Sequence, residues 1–322
     1  MNSMFIPIET HTIRSGSIHS FDLFFRTKEE KMVLYCTAGE RVDNDIREKL
    51  RKLNSDNLYI HTKDKEYYSL YLEESLPYIL KESQVTSQVK AKTAYNSVIS
   101  IARTLFESPK SEIIKRYKNV IFSIVQYIFD DDEAFHNLIQ LTTFDFTVYN
   151  HSINVGLIGT GLARELLGDK PGHDFAEMAK GFFLHDIGKS VVPLGILHKR
   201  EPLSYDEWEL LKRHPRDGLR ILAQFNEQSE TINLIVAQHH ERHNGKGYPK
   251  GLKGDQIHIY SKICSIADTF DGLTSNRPYR KKYLTFHALK IMKNEIFKYC
   301  DPEFFRKFVK LFSTYLANGN VG

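Results

Sequence analysis

The chain has apolar residues at helical spacing through most of its length after about residue 119. In "HSINVGLIGTGLARELLGD", Ile158, Leu162 and Leu166 recur every four residues, and Gly168 ends the pattern. The segments "DFAEMAKGFFLHDIGK", "TINLIVAQHHE" and "DQIHIYSKICSIADTFDGL" have the same spacing. Apolar residues that recur in this way bury one face of a helix. The pattern therefore predicts a large, mostly α-helical domain.

Two of the predicted helices carry start signals. Ser204 and Glu207 in "SYDEWELLKRH" have the spacing of a capping box, in which each side chain bonds a backbone N–H at the helix start. Asp301 and Pro302 are suited to the N-cap and first position of the last helix, because proline fits the first helical turn.

The residues before 83 have a different pattern. "FDLFF" and "KMVLYC" are rich in β-forming residues and flank the polar stretch "RTKEE", which predicts a hairpin, and "NLYIH" predicts another strand. "DNDIREKLRKL" and "DKEYYSLYLEESL" have helical spacing. The fold class predicted is α+β overall, with a small α/β domain over residues 1–82, connecting helices over 83–118 and the mostly α-helical domain over 119–322.

Composition indicates a folded protein. Of 322 residues, 41% are hydrophobic and 26% are charged, as in soluble globular domains. The net charge of +4 is small and the basic residues are dispersed, which argues against binding to a nucleic-acid polymer. Three widely spaced cysteines, Cys36, Cys264 and Cys300, argue against a disulfide framework. With no signal peptide and no apolar run of membrane-spanning length, we expect a soluble, cytoplasmic protein.

Ionisable residues stand at the ends of several apolar helical segments. The pair His185 and Asp186 follows the apolar run "GFFL", where burial is expected and where a buried charge needs a partner or a metal. Similar positions are occupied by His151 at the start of one helix, His214 at the end of another, His239 and His240 at the end of a third, and Asp268 inside a fourth. Imidazoles and carboxylates from several elements are the ligands that a two-metal hydrolytic site requires.

The order of five motifs, "HSINV", "HDIGK", "RHPRDG", "HHERHNGKGYP" and "ADTFDGLTSNRPYR", resembles the HD-GYP domain, a subgroup of the HD phosphohydrolase superfamily. The resemblance covers roughly residues 130 to 315 and does not include the first hundred residues. It implies a phosphodiesterase for cyclic di-GMP that opens the ring to linear pGpG and, in many members, continues to GMP.

The resemblance also implies a ligand set for two divalent metal ions, with iron common in the family and manganese active in many members. The matching positions are His151, His185, Asp186, His214, His239, His240 and Asp268. Asp186 is implied as the bridge between the two ions. Some members hold a third metal with a Glu four residues before the first ligand; here that position is Thr147, and a hydroxyl is a poor substitute for a carboxylate.

Other residues are implied in substrate binding. Lys189 matches a family lysine that contacts phosphate, so Asp186 and Lys189 are assigned catalytic roles. Arg277 and Arg280 in "RPYR" match basic residues that hold the dinucleotide. Tyr248, in the loop after the two adjacent histidines, is a candidate contact for a base or a sugar.

Two alternatives stay open from the sequence. The first is a receptor for cyclic di-GMP, or for a protein partner, without turnover; retention of all the expected metal ligands argues against it. The second is an HD hydrolase for another cyclic dinucleotide, such as a 3′,3′-linked hybrid. The N-terminal domain is expected to regulate the site, to support a homodimer or to bind a protein partner. The sequence does not identify the native metal.

Overall fold

The computed structural model describes residues 4–27, 29–42, 57–142, 147–168, 170–227, 229–277, 280–297 and 302–317. The chain divides into two compact units, Met1–Ser97 and Val98–Gly322. Within the described ranges, none of the helices combines the length and the apolar content that crossing a bilayer requires.

The first unit contains an antiparallel four-stranded sheet. Its strands are β1 (Phe5–Glu9), β2 (Leu23–Arg26), β3 (Met32–Cys36) and β4 (Asn57–His61), in the order β1-β4-β2-β3. The predicted hairpin is confirmed as the β2-β3 pair, with Phe25 opposite Val33. Strand β1 was not predicted from the sequence; it pairs with β4, which places Ile6 opposite Ile60.

One helix, α1 (Lys65–Lys81), follows the sheet directly in the chain. The buried core of this unit includes Leu23, Leu58 and Tyr71. Tyr71 also accepts a hydrogen bond from the backbone N–H of Arg14, with an O to N distance of 2.8 Å. Tyr71 and Tyr68 of α1 thus contribute to packing, as the composition of protein cores leads one to expect, whereas Tyr67 and Tyr78 are exposed. The helix predicted over residues 43–53 lies outside the described residues.

The remaining helices have these bounds: α2 (Ser87–Glu107), α3 (Ser111–Asp130), α4 (Ala134–Gln140), α5 (Val148–Leu167), α6 (Phe175–Leu184), α7 (Leu194–Leu197), α8 (Tyr205–Leu211), α9 (His214–Gln224), α10 (Glu230–Gln238), α11 (Ile259–Thr274), α12 (Thr285–Glu295) and α13 (Pro302–Ala317). Helix α5 is buried along most of its length and packs against α6 and α11. Helix α10 packs against α6 and α9. These contacts bring the ends of several helices to one region.

Local sequence signals match the observed helix starts. The capping box of Ser204 and Glu207 is present at the start of α8. Helix α13 begins at Pro302, as predicted, while Asp301 lies outside the described residues. Thr147 caps α5: its hydroxyl accepts a hydrogen bond from the backbone N–H of Asn150 at 3.1 Å.

Gly188 permits a close approach between two segments that carry candidate ligands. It lies in the 3₁₀ helix Ile187–Val191, which packs against α9. A Cβ atom at this position would lie 1.9 Å from the backbone oxygen of His214, far inside van der Waals contact. A residue without a side chain is therefore required where the segment after Asp186 meets the start of α9.

Candidate metal centre

Five helices bring together the seven ligands predicted from the sequence. Helices α5 and α11 contribute His151 and Asp268 from within their length. His185 with Asp186 follows α6, and His239 with His240 follows α10, where a helix end lets adjacent residues face the same site. The ligand atoms form two groups, each with all members within 4.8 Å of one another: Asp186, His214, His239 and His240 in the first group, and His151, His185 and Asp268 in the second.

The prediction that His214 ends a helix is wrong. Helix α8 ends at Leu211, and His214 is the first residue of α9. Pro215 follows it immediately, and proline is favoured in the first turn of a helix because its missing N–H has no intrahelical partner there. The side chain still reaches the first ligand group, so the error concerns the helix boundary and not the convergence of the residues.

The Asp186 carboxylate lies between the two ligand groups. Its Oδ1 is 3.2 Å from His214 Nε2 and 3.7 Å from His239 Nε2. Its Oδ2 is 3.4 Å from Nε2 of both His151 and His185. Each oxygen therefore faces one group, which is the arrangement that a carboxylate shared by two cations requires.

Asp268 also spans the two groups. Its Oδ1 is 3.1 Å from His151 Nε2, and its Oδ2 is 3.6 Å from His240 Nδ1. The centre thus contains two carboxylates that each have oxygens directed toward different imidazoles. A cation in either group would have nitrogen and oxygen ligands, a mixture suited to divalent transition metals.

Hydrogen bonds orient the imidazoles of three candidate ligands. The Nδ1 atoms of His185 and His214 each lie 2.8 Å from a backbone oxygen, those of Phe182 and Leu211 respectively. His239 Nδ1 lies 3.0 Å from the oxygen of Val236. A carbonyl oxygen only accepts, so Nδ1 carries the proton and the Nε2 lone pair faces the centre.

His151 is oriented by a carboxylate instead. Its Nδ1 donates to Oδ2 of Asp271 at 2.6 Å, and Asp271 Oδ1 accepts from Asn154 at 2.7 Å and from Ser275 at 3.0 Å. Asp271 is buried. We did not identify Asp271 from the sequence; its position three residues after Asp268, on the same side of a buried helix, is the signal that could have revealed it.

The buried polar atoms of the centre fit divalent cations. His185 Nε2 and Asp186 Oδ1 are buried, and within the described residues neither has a hydrogen-bond partner. The Nε2 atoms of His214 and His239 are 3.1 Å apart, and two lone pairs at that distance repel each other. Buried polar groups without partners are costly, and one cation in each ligand group would satisfy these four atoms.

The pKa values of Asp186 and of three histidines favour the protonation states that bind metal. Burial acts to lower the pKa of His151, but hydrogen bonds with Asp268 and Asp271 raise it above the usual value. Burial lowers the pKa of His214 to about 3, and it lowers the pKa of His239 and His240 as well. Burial opposes ionisation of Asp186, but the charge of Lys189 holds its pKa well below the usual range. At neutral pH the carboxylate is therefore charged and the imidazoles of lowered pKa are neutral, as metal ligands must be.

Lys189 connects the centre to a neighbouring cavity. Its Nζ donates to Asp186 Oδ2 at 2.5 Å. The cavity has a volume of about 660 Å³. It is lined by Lys189, Ile196, Leu197, Lys199, Arg200, Glu201, Pro202, Leu203, Trp208, Leu211 and Arg277. Its combination of cations with apolar and aromatic side chains suits a ligand that has both phosphate groups and planar rings.

Arg280 lies against the end of α11. Its guanidinium donates to the backbone oxygens of Gly272 at 2.6 Å and Lys281 at 2.7 Å, and it lies 4.5 Å from the ring centroid of Tyr283. Arg277 lines the cavity beside Lys189, and its backbone exchanges two hydrogen bonds with that of Arg280. A substrate contact by Arg280 stays a prediction.

The loop that carries Tyr248 is held against the histidines. The Tyr248 backbone N–H donates to the backbone oxygen of His240 at 3.2 Å, and the centroids of the two rings are 4.7 Å apart with an angle of 34° between the ring planes. Glu241 is buried and accepts from the backbone N–H groups of Lys250 at 2.7 Å and Leu252 at 2.9 Å. Burial raises the pKa of Tyr248, so its hydroxyl stays protonated.

Comparison with known proteins gives a family model and curated relatives. A model described as HD domain matches residues 135–304. A protein named cyclic di-GMP phosphodiesterase PA4108, from Pseudomonas aeruginosa, is 37% identical over 59% of this chain and 47% of its own length. A 3'3'-cGAMP-specific phosphodiesterase 3 from Vibrio cholerae is 30% identical over 73% of this chain and 51% of its own length. The chain thus spans about half the length of these relatives.

A solved structure has the same fold. It is Bd1817, described as a HDG"Y"P protein from Bdellovibrio bacteriovorus, and it matches with a TM-score of 0.64 over 96% of this chain and 99% of its own. The sequences are 22% identical, so the likeness bears on the fold alone.

Proposed function

The chain belongs to the HD domain family, and from this premise we propose that it is a metal-dependent phosphodiesterase that hydrolyses cyclic di-GMP at a dinuclear centre. The observation that carries the proposal is the position of Asp186, whose two oxygens each face a separate group of imidazoles. A relative named as a cyclic di-GMP phosphodiesterase supports this substrate.

The proposed reaction adds water to one phosphorus of the ring. The bond from phosphorus to the 3′-oxygen breaks, that oxygen leaves with a proton, and linear pGpG is formed; a second hydrolysis gives GMP. Two divalent cations, when bound, supply Lewis acidity that lowers the pKa of water and offsets charge on the phosphoryl oxygens. Lys189 and Arg277 line the adjoining cavity, where their charges attract and orient the phosphates.

We propose two cations and not three. His151, His185 and Asp268 hold one, His214, His239 and His240 hold the other, and Asp186 is shared. Thr147 supports this count, because its hydroxyl is engaged as the helix cap of α5 and it offers no carboxylate. Nitrogen-rich ligand groups favour iron or manganese over magnesium and calcium, which prefer oxygen ligands.

A second candidate substrate is 3′3′-cGAMP. The Vibrio cholerae relative named for that activity matches a larger share of this chain than the Pseudomonas aeruginosa relative does. Both dinucleotides have two 3′,5′-linked phosphates and two purines, so the same cavity and centre would accept either. Cyclic dinucleotide binding without turnover is the alternative function, and the buried ligand set argues against it because it is costly without metal.

The N-terminal unit, by its position before this domain, is proposed to regulate the centre or to mediate contact with a second copy or a protein partner. A cytoplasmic location likewise stays a prediction from composition.

The test uses the full chain, loaded anaerobically with Fe(II) or Mn(II) and incubated with cyclic di-GMP or 3′3′-cGAMP. We expect linear products by chromatography and mass spectrometry, and two metal ions per chain by elemental analysis. His185→Ala and Asp186→Ala should lose both metal and activity, whereas His287→Ala, at an exposed position on α12, should keep both. Tight binding without hydrolysis in either metal would reject the enzyme and favour a receptor; three ions per chain would reject the dinuclear centre.

A further inference from the structure

Trp208 is a large apolar side chain on the wall of the cavity that adjoins the metal centre. It is 44% exposed and lies on α8, and it is the chain's one tryptophan. Large aromatic side chains are normally buried in a core or in an interface. An aromatic side chain that is accessible in the wall of a cavity is a candidate surface for a ligand, because ligand sites are lined by apolar and aromatic side chains.

The same short helix connects Trp208 to the metal centre. Leu211, one turn further along α8, accepts the hydrogen bond from His214 Nδ1 at 2.8 Å and also lines the cavity. Tyr248 lies between the tryptophan and the centre: its ring centroid is 6.4 Å from that of Trp208 and 4.7 Å from that of His240. The indole is therefore fixed at a short distance from the candidate ligands.

The cavity combines charged and apolar side chains, as a nucleotide site requires. Lys189 and Arg277 supply cations, while Ile196, Leu203 and Trp208 supply apolar surface. Lys199 Nζ lies 2.6 and 2.7 Å from the two carboxylate oxygens of Glu207, and Lys189 Nζ lies 2.5 Å from Asp186 Oδ2. Both charges are therefore partly compensated within the protein, whereas the indole offers an uncharged planar surface in the same cavity.

We propose that Trp208 is a stacking platform for one purine base of the dinucleotide and that it favours substrates with a planar base at that position over phosphodiesters without one. The inference rests on the proposed function for its ligand, but it concerns binding and not hydrolysis. A phosphodiester that has no planar base would bind the cations and would gain nothing from the indole. Stacking on an aromatic side chain tolerates either adenine or guanine, because each presents a flat π-face.

The first test uses the fluorescence of the tryptophan. Because the chain has one tryptophan, emission excited beyond the tyrosine absorption band reports on this side chain alone. A hydrolysis-resistant bis-phosphorothioate analogue of cyclic di-GMP is titrated into the metal-loaded full chain, and binding is measured in parallel by calorimetry. We expect quenching that saturates with the same dissociation constant as the heat of binding. Calorimetric binding with unchanged emission would overturn the proposal.

The second test uses three variants. Trp208→Leu should raise KM for cyclic di-GMP roughly 5- to 150-fold, the range that stacking of one base supplies, with kcat and metal content retained. Trp208→Phe should recover most of the loss, because it restores an aromatic face. Tyr205→Leu is the matched control: it removes an aromatic ring from the same helix at a position that is 77% exposed, and it should leave KM unchanged.

A structural role for Trp208 would give a different result. Since α8 also orients His214, disruption of the helix would lower metal content and kcat. The variant Trp208→Phe would then not recover KM selectively. An unchanged KM in Trp208→Leu would reject the platform while hydrolysis continued. Conversely, quenching by the analogue in a protein that fails to hydrolyse cyclic di-GMP would reject the proposed function and keep the platform.

Discussion

Asp271→Asn is expected to weaken one metal position selectively. The Asp271 carboxylate is buried and accepts a hydrogen bond from His151 Nδ1 at 2.6 Å. It also accepts hydrogen bonds from Asn154 and Ser275. Asparagine keeps the shape of the side chain but removes the charge, and its amide must turn an NH₂ group toward one of the donors. The charge-assisted bond that orients His151 is thereby lost.

The magnitude follows from the role of that bond. Loss of the partner that orients a ligating histidine costs roughly 10- to 100-fold in metal affinity, or about 1.4 to 2.8 kcal/mol. The effect should fall on the group formed by His151, His185 and Asp268, because none of the other candidate ligands contacts Asp271 among the described residues. The group that contains His214 should keep its affinity.

The assay is calorimetric titration of the metal-free protein with Mn(II). The unmodified chain should bind two ions, and Asp271→Asn should show one unchanged and one weakened site. Asp217→Asn is the matched control, because Asp217 is also buried but its carboxylate pairs with Arg220 on α9 at 3.3 Å. Equal affinities at both sites in Asp271→Asn and in the unmodified chain would refute the argument, as would equal weakening of both.

Three further outcomes are expected. Gly188→Ala should lower the free energy of unfolding by about 1 to 3 kcal/mol and reduce metal content, because the new Cβ would meet the His214 backbone. The control Gly195→Ala, with open space at its Cβ position, should change neither. Equal melting temperatures of the two variants would contradict this prediction. Metal-free protein should lose stability as the pH falls from about 6.5 toward 3. In that range His214 becomes protonated in the unfolded chain but not in the folded chain, where its pKa is about 3. His214 should therefore contribute a loss of about 2 kcal/mol in the free energy of unfolding at pH 5, measurable by urea denaturation, and a free energy that does not change with pH would reject this prediction. Thr147→Ala should cost about 1 kcal/mol through loss of the helix cap with metal content unchanged, and a fall in metal content would show that Thr147 serves the centre.

Much of the fold was predictable because its signals are local. Helical spacing predicted α5, α6, α10 and α11, and the spacing of Ser204 and Glu207 predicted the start of α8. The hairpin between β2 and β3 was also evident, because the two strands are consecutive in the chain. Strand β1 was missed since its partner β4 is distant in sequence and since Pro7 weakens the strand pattern.

The identities of the candidate ligands followed from the order of motifs, whereas their mutual geometry did not. No local rule connects His151 with Asp271, which are separated by 120 positions and yet form a bond of 2.6 Å. The same holds for Trp208 beside Tyr248, which lie in segments that no local pattern joins.

The sequence by itself determined most of the long helices, the capping box at the start of α8 and the donor atoms, because each depends on residues a few positions apart. Only the tertiary structure decided which imidazoles each oxygen of Asp186 faces, that Asp271 orients His151 and that an indole borders the cavity. Those relations depend on how separate helices pack, and packing is a property of surfaces that meet in space and are far apart in the chain.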